Sequence, residues 1–139
     1  DPGSGTLYLY RTYQGGGRTA QEHVAALKQG EPPELFAVGG SASEEQWRQE
    51  FRRAGLFVRQ PPVREVEIGI QRVYAAHQAG LIKVFTGLGA YLDEKLRYAR
   101  GLDDESQPTQ EIEDAHTFHL MDAERYIVSY LMQFSYRAA

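Results

Sequence analysis

The segment HTFHLMDAERY, residues 116–126, places imidazole and carboxylate side chains just before an apolar run. His119 and Asp122 are three residues apart, so on a helix both side chains lie on one face and can reach one cation or one phosphate. Carboxylates bind magnesium or manganese, and a neighbouring imidazole completes the shell or moves a proton. A structural explanation stays open, because acids at a helix start also stabilise the positive end of its dipole.

A second group of candidates follows the apolar segment ELFAV, where open α/β sheets commonly bind ligands. It contains Gly39, Gly40, Ser41 and Ser43, although the sterics of a tight turn explain the glycines equally well. Three arginines lie on the helix predicted next, where they either follow a DNA backbone or form a solvated helix face: Arg48, Arg52 and Arg53.

Composition excludes several classes of protein. The 139 residues, 42% hydrophobic and 24% charged, fit one soluble domain with a single core. The sequence has no cysteine, so disulfides, thiolate zinc sites and a cysteine nucleophile are excluded. A net charge of -4 argues against broad nucleic-acid binding by phosphate neutralisation alone but leaves local patches open. No Walker phosphate loop and no membrane-spanning apolar run is present, so we expect an intracellular protein that is not by itself an ATPase.

The elements that must position these residues alternate along the chain. Strands are predicted at residues 6–13, 34–40, 55–62 and 81–85. Capping boxes at Thr19 with Glu22 and at Ser43 with Gln46 begin two helices, the second with Trp47, Phe51 and Ala54 inward. Further helices are predicted at residues 64–78, at 90–99 and from 115 onward, and residues 100–114 are predicted to be a polar loop. The last helix is expected to bury Leu120, Ala123, Ile127, Leu131 and Phe134. This alternation favours an α/β sheet covered by helices.

The run HLMDAERYIVSYL resembles the end of the nuclease domain of phage terminase large subunits. In that family a histidine precedes by three residues an aspartate that opens an Asp-Ala-x-Arg-Tyr helix. Four other segments resemble the same domain in the same order: LYLYRTYQGGGRTAQEHVAAL, VGGSASEEQWRQEFRRAG, VREVEIGIQRVYAAHQAGLIKVF and YLDEKLRYARGLDD. The resemblance covers nearly the whole chain.

The resemblance implies an RNase H-like mixed sheet with helices on both faces, formed by residues 1–139 as one domain without its first strand or the ATPase motor domain. It implies a metal-dependent endonuclease of a phage or prophage that cuts concatemeric double-stranded viral DNA in the host cytoplasm. Two Mg²⁺ or Mn²⁺ ions would activate a water and stabilise the leaving oxygen. The implied partners are the terminase ATPase domain, the small terminase subunit and the portal protein. Asp122, with His119 beside it, matches the family's acid at the start of the last helix.

Two positions depart from the family pattern. The first acid would lie before residue 1, and Gly39 and Gly40 stand where the central-strand aspartate is expected. Glu44 and Glu45, at the start of the next helix, are the candidates to replace it as metal ligands. The departures leave two alternatives open: a catalytically degenerate RNase H-like module that contacts DNA, portal or motor without cutting, and an unrelated α/β interaction domain.

Overall fold

The computed structural model describes residues 1–135, except for the side chains of Ala42 and of residues 133–135. The strands in this part are β1 (Leu7–Leu9), β2 (Ala37–Val38), β3 (Val58–Arg59), β4 (Ile82–Val84), β5 (Arg100–Leu102) and β6 (Pro108–Ile112). The helices are α1 (Ala20–Lys28), α2 (Glu45–Arg53), α3 (Val66–Gln78), α4 (Gly89–Arg97) and α5 (His119–Ser135). Strands and helices alternate up to α4, which confirms the predicted α/β class. None of these helices has the length and apolar character needed to cross a bilayer.

The strands form three separate pairs within the described residues. β1 and β4 are parallel, with Leu7 opposite Ile82, and β2 and β3 are also parallel, with Val38 opposite Arg59. β5 and β6 form an antiparallel hairpin. The mixed sheet expected from the sequence is therefore present as strand pairs, and β1 and β2 each have one hydrogen-bonded neighbour strand in this part of the chain.

The prediction of a polar loop at residues 100–114 was wrong, because this segment contains the β5–β6 hairpin. Asp103 closes its turn: the side-chain Oδ1 accepts hydrogen bonds from the backbone amides of Glu105 (2.9 Å) and Gln107 (2.8 Å). At the base of the hairpin, the Arg100 guanidinium donates to Glu67 on α3 at 2.6 Å. The amino-acid composition of residues 100–114 is typical of a loop. The hairpin forms because of an Asx turn and an ion pair with a residue distant in the sequence.

The two helix starts predicted from capping boxes have different outcomes. The box at Thr19 is confirmed, because Glu22 accepts a hydrogen bond from the Thr19 amide at 2.7 Å and donates its own amide to the Thr19 hydroxyl. The box predicted at Ser43 with Gln46 was wrong. A 3₁₀ turn at Ala42–Glu44 precedes α2, and the capping box belongs to this turn: Ser41 is its N-cap residue, and the Glu44 carboxylate accepts a hydrogen bond from the Ser41 amide.

Buried apolar residues form three clusters. One joins α1, α2 and β3 through Val24, Phe51, Leu56 and Val58. A second joins α3, β4 and α5 through Val73, Ala76, Ile82 and Val128, and a third joins α4 to α5 through Leu88, Tyr91, Phe118 and Met121. Helix α5 contributes to two clusters, so the packing of both α3 and α4 fixes its position.

The prediction of which face of α5 is buried was only partly right, because Leu120 and Ile127 are half-buried against the core clusters but do not belong to the most buried stripe. The buried residues are Met121, Glu124, Arg125, Val128 and Ser129, which face α3 and α4. The residues predicted to face inward are less buried, since Leu131 is 42% exposed and Ala123 is exposed. Phe134 lies outside the described side chains. Helix α5 carries two apolar stripes, and periodicity alone does not reveal which one packs against the neighbouring helices.

Candidate functional site

His119 and Asp122 lie on the first turn of α5. The 3₁₀ turn Ala115–Thr117 leads into this helix, and the Asp122 amide donates to the Phe118 carbonyl at 3.1 Å. Their spacing within the helix places both side chains on one face, as the sequence predicted. His119 is exposed and the Asp122 side chain is 40% exposed, so both are within reach of a ligand.

The carboxylate of Asp122 is oriented by Arg125. Arg125 Nη2 donates to Asp122 Oδ1 at 2.7 Å, and the arginine side chain is only 8% exposed. Gly69 on α3 leaves room for the stem of this arginine, because a Cβ there would stand 2.4 Å from Arg125 Cγ. The buried guanidinium holds one oxygen of Asp122, and the other oxygen accepts no hydrogen bond from the residues that the structure describes. A cation at this position would therefore meet a carboxylate that is already oriented.

The backbone of this turn is held by Glu94 on α4, a residue that the sequence did not single out. Glu94 is 4% exposed, and its Oε2 accepts hydrogen bonds from the amides of Leu120 (2.8 Å) and Met121 (3.2 Å). Its Oε1 accepts from Gln14 Nε2 at 3.1 Å. A negative charge on the first amides of a helix also interacts favourably with the helix dipole. Glu94 therefore takes the capping role at the start of α5 from a distant position in the sequence.

A second buried acid, Glu124, fastens α5 to α3 and α4. Its side chain is 3% exposed and lies 2.8 Å from His77 Nε2, and it accepts hydrogen bonds from the Tyr91 hydroxyl at 2.8 Å and from Lys95 Nζ at 2.7 Å. Burial, followed by the charge of Glu124, raises the pKa of the Tyr91 hydroxyl well above its usual range. The group is saturated with partners, so we assign it to the support of the site.

The glycine-containing turn after β2 stands across from α5. Gly40 has φ +76°, and a Cβ there would stand 2.9 Å from Arg48 Nη1. Arg48 is 5% exposed and donates to the Ser41 carbonyl at 2.7 Å, while its Nη2 lies 3.0 Å from Glu45. Positive φ and the close arginine explain why glycine occupies position 40. Arg48 therefore braces this turn, whereas Arg52 and Arg53 are exposed on the outside of α2.

A cavity of about 910 Å³ lies between this turn and α5. Its walls include Gly39, Gly40, His119 and Tyr126, and its floor is the apolar stripe Leu120, Ala123 and Ile127. A second cavity of about 440 Å³ shares that floor and reaches β1. Together they form a cleft that separates the β1–β4 pair from the β2–β3 pair.

The structure brings the predicted site residues together only in part. His119, Tyr126 and the glycines border the cleft. Burial chiefly raises the pKa of the Tyr126 hydroxyl; the charge of Asp122 raises it further, the charge of Arg125 lowers it, and Glu44 raises it less. The carboxylate of Glu44 accepts a hydrogen bond from the Ser41 amide, and the carboxylate of Glu45 forms an ion pair with Arg48.

A magnesium or manganese ion needs several oxygen or imidazole ligands at one point. In residues 1–135, no three histidine, aspartate or glutamate side chains surround such a point. The pair on α5 offers one carboxylate and one imidazole. The described residues by themselves do not fit a two-ion centre, and a single ion would have to complete its shell with water or substrate oxygens.

The fold has a solved counterpart, the structure of the P22 large terminase nuclease domain. The TM-score is 0.70 with 23% sequence identity, over 96% of this chain and 70% of that chain. This likeness is one of fold, and it confirms the predicted mixed α/β fold of a terminase nuclease domain. No protein-family model matches the sequence, and no curated protein matches it.

Proposed function

We propose that this protein is a terminase-type nuclease module that cuts double-stranded viral DNA with Mg²⁺ or Mn²⁺. One observation carries the proposal: a chain with the fold of the P22 large terminase nuclease domain has His119 and Asp122 on the first turn of α5, with His119 lining a cavity of about 910 Å³ and the Asp122 side chain 40% exposed. A divalent ion bound there would supply an activated water and stabilise the leaving oxygen. In the same proposal the partners are the terminase ATPase domain, the small subunit and the portal protein, and the setting is the host cytoplasm.

The roles of this chain's own residues follow from their contacts. Asp122 is the carboxylate ligand, and Arg125 holds it in one orientation through a 2.7 Å hydrogen bond. His119, exposed one turn earlier, either binds the ion or moves a proton. Glu94 keeps the backbone of that turn fixed. Glu44 and Glu45 would have to leave their present partners to act as ligands.

Nicking of supercoiled plasmid in manganese tests the proposal, with chelator as the negative control. Asp122→Asn removes the charge of the proposed ligand while keeping its shape. The matched control is Asp104→Asn, which makes the same change on the exposed hairpin turn. We expect nicking by the wild type and by Asp104→Asn and its loss in Asp122→Asn. Equal nicking by all three would place the chemistry elsewhere.

His119 has its own matched control. His116 lies in the 3₁₀ turn before α5 and is also exposed. We expect His119→Gln to lower the nicking rate and His116→Gln to leave it unchanged. General acid–base groups contribute about 10²–10⁴-fold, so a loss in this range would assign His119 to proton transfer.

A second candidate, a module of the same fold that binds DNA without cutting, is favoured by the glycine turn. Gly40 has a positive φ, and a Cβ there would stand 2.9 Å from Arg48 Nη1, so Arg48 would have to shift before an aspartate could occupy this position. The same assay separates the two candidates when DNA binding is measured alongside. Binding without nicking in any divalent metal would favour the non-cutting module.

A further inference from the structure

Exposed aromatic rings and guanidinium groups alternate on the surface formed by α2 and β3. Phe57 is 54% exposed, and two guanidiniums lie over its ring, Arg52 at 5.3 Å and Arg59 at 5.9 Å from the centroid. Arg59 also lies 4.8 Å from the centroid of Phe36, which is 44% exposed. Its Nη1 donates to the Tyr130 hydroxyl at 2.8 Å. We call Arg52, Phe57, Arg59 and Phe36 the aromatic-arginine surface.

The charges of this surface are not neutralised by neighbouring acids. Five lysine and arginine side chains in the described part of the chain meet a carboxylate within 4.0 Å: Arg11, Arg48, Lys95, Arg100 and Arg125. Arg52 and Arg59 have no such partner among residues 1–135. Glu45, the acid that borders the same groove, is already paired with Arg48. In a chain of net charge -4, this face therefore offers an anion two guanidiniums that have no carboxylate partner within the described residues.

The aromatic-arginine surface has both the shape and the position of a ligand site. A groove of about 420 Å³ runs between Arg52, Phe57 and Arg59. Arg59 ends β3, and its carbonyl accepts a hydrogen bond from the Gly39 amide at 3.0 Å. The groove therefore adjoins the glycine turn that borders the cleft next to His119.

We propose that the aromatic-arginine surface binds single-stranded DNA: Arg52 and Arg59 turn from the Phe57 ring to successive phosphates, and an unpaired base takes their place on that ring. Guanidinium groups alone would serve duplex and single strand alike, because both expose phosphates. Exposed aromatic rings add affinity only for bases whose faces are free, and such stacking tolerates any sequence. The inference rests on the proposed function only in taking DNA as the ligand. It adds a strand-separated segment, bound beside the candidate cutting site.

Fluorescence anisotropy with an oligo-dT strand and a mixed-sequence duplex of the same length, in chelator, tests this inference without cleavage. We expect Phe57→Leu to weaken dT binding about tenfold and to leave duplex binding unchanged. The matched control is Tyr74→Leu, since Tyr74 is a 63% exposed aromatic on α3. Its dT affinity should equal that of the wild type, and thermal melts should show that both variants are folded.

The arginines are tested by salt dependence. Arg52→Gln and Arg59→Gln should each lower the slope of log K against log salt for dT by about 0.7. Lys83→Gln, which removes an exposed charge on β4, should leave that slope unchanged. These variants keep the inference testable if Phe57→Leu does not fold.

Three outcomes would overturn the inference: equal dT affinity of Phe57→Leu and wild type, equal losses on dT and duplex, or salt slopes that do not change. Any of them would leave the surface to an acidic protein partner. Plasmid nicking separates this inference from the proposed function. Asp122→Asn should bind dT like the wild type, because Asp122 is not part of the aromatic-arginine surface. If the wild type does not nick plasmid but Phe57→Leu still loses dT affinity, the inference holds and the nuclease proposal is rejected.

Discussion

Replacing Glu94 by glutamine should loosen the first turn of α5. The carboxylate accepts hydrogen bonds from the amides of Leu120 (2.8 Å) and Met121 (3.2 Å) at a position that is 4% exposed. Hydrogen bonds to a charged group contribute about 1.5–3 kcal/mol each and neutral ones about 0.5–1.5. The amide of Glu94→Gln keeps the shape but makes two neutral bonds at best. We therefore expect a loss of about 2 kcal/mol in the free energy of unfolding.

Urea denaturation followed by circular dichroism measures this loss, and a thermal melt should fall by about 6 °C, at roughly 3 °C per kcal/mol for a chain of this size. Amide hydrogen exchange gives the local readout, because Leu120 and Met121 should exchange faster once their acceptor is weakened. The matched control is Glu113→Gln, an exposed acid shortly before α5, which should change the free energy by less than about 0.5 kcal/mol. Equal effects of the two substitutions, with unchanged exchange at Leu120 and Met121, would refute the capping role of Glu94.

Two further predictions concern the support of the site. The hydrogen bond from Arg100 lowers the pKa of Glu67 below its ordinary value of 4.5, so the ionised carboxylate stabilises the fold above that pH and this contribution is lost as the pH falls through the lowered pKa. Glu67→Gln should therefore be less stable than the wild type in urea at pH 7, and the difference should disappear in acid; a difference independent of pH would contradict this. Gly69→Ala puts a Cβ 2.4 Å from Arg125 Cγ and should cost about 1–3 kcal/mol in unfolding free energy, whereas Gly87→Ala, with nothing within 4 Å, should not. Equal thermal melts of the two alanine variants would rule out this tight contact.

What the sequence predicts well is encoded within one or two helical turns. The Thr19 capping box is an interaction across three residues, and it is present as predicted. The pairing of His119 and Asp122 on one helix face follows from spacing alone. The order of strands and helices follows from local periodicity in the same way. The fold is therefore largely predictable from short-range patterns.

What the sequence does not reveal depends on distant partners. Glu94 meets its amide donors 26 and 27 residues away, and Glu124 meets His77 across 47 residues. In the sequence both appear as ordinary acids of amphipathic helices. The sequence groups Arg48 with Arg52 and Arg53 as candidate DNA contacts, yet the Arg48 side chain is buried against the glycine turn while the other two are exposed. Which of these arginines is buried depends on how α2 is rotated about its axis, and the spacing of residues in the sequence does not determine that rotation.

The central claim is that the start of α5 is the metal-dependent cutting site. Its most direct test is the initial rate of plasmid nicking against manganese concentration, for the wild type and Asp122→Asn at equal protein concentration. The account predicts a rate that rises and saturates with manganese in the wild type and stays at the chelator background in Asp122→Asn. A wild type that stays at background throughout, or an Asp122→Asn variant with the same curve as the wild type, would contradict it.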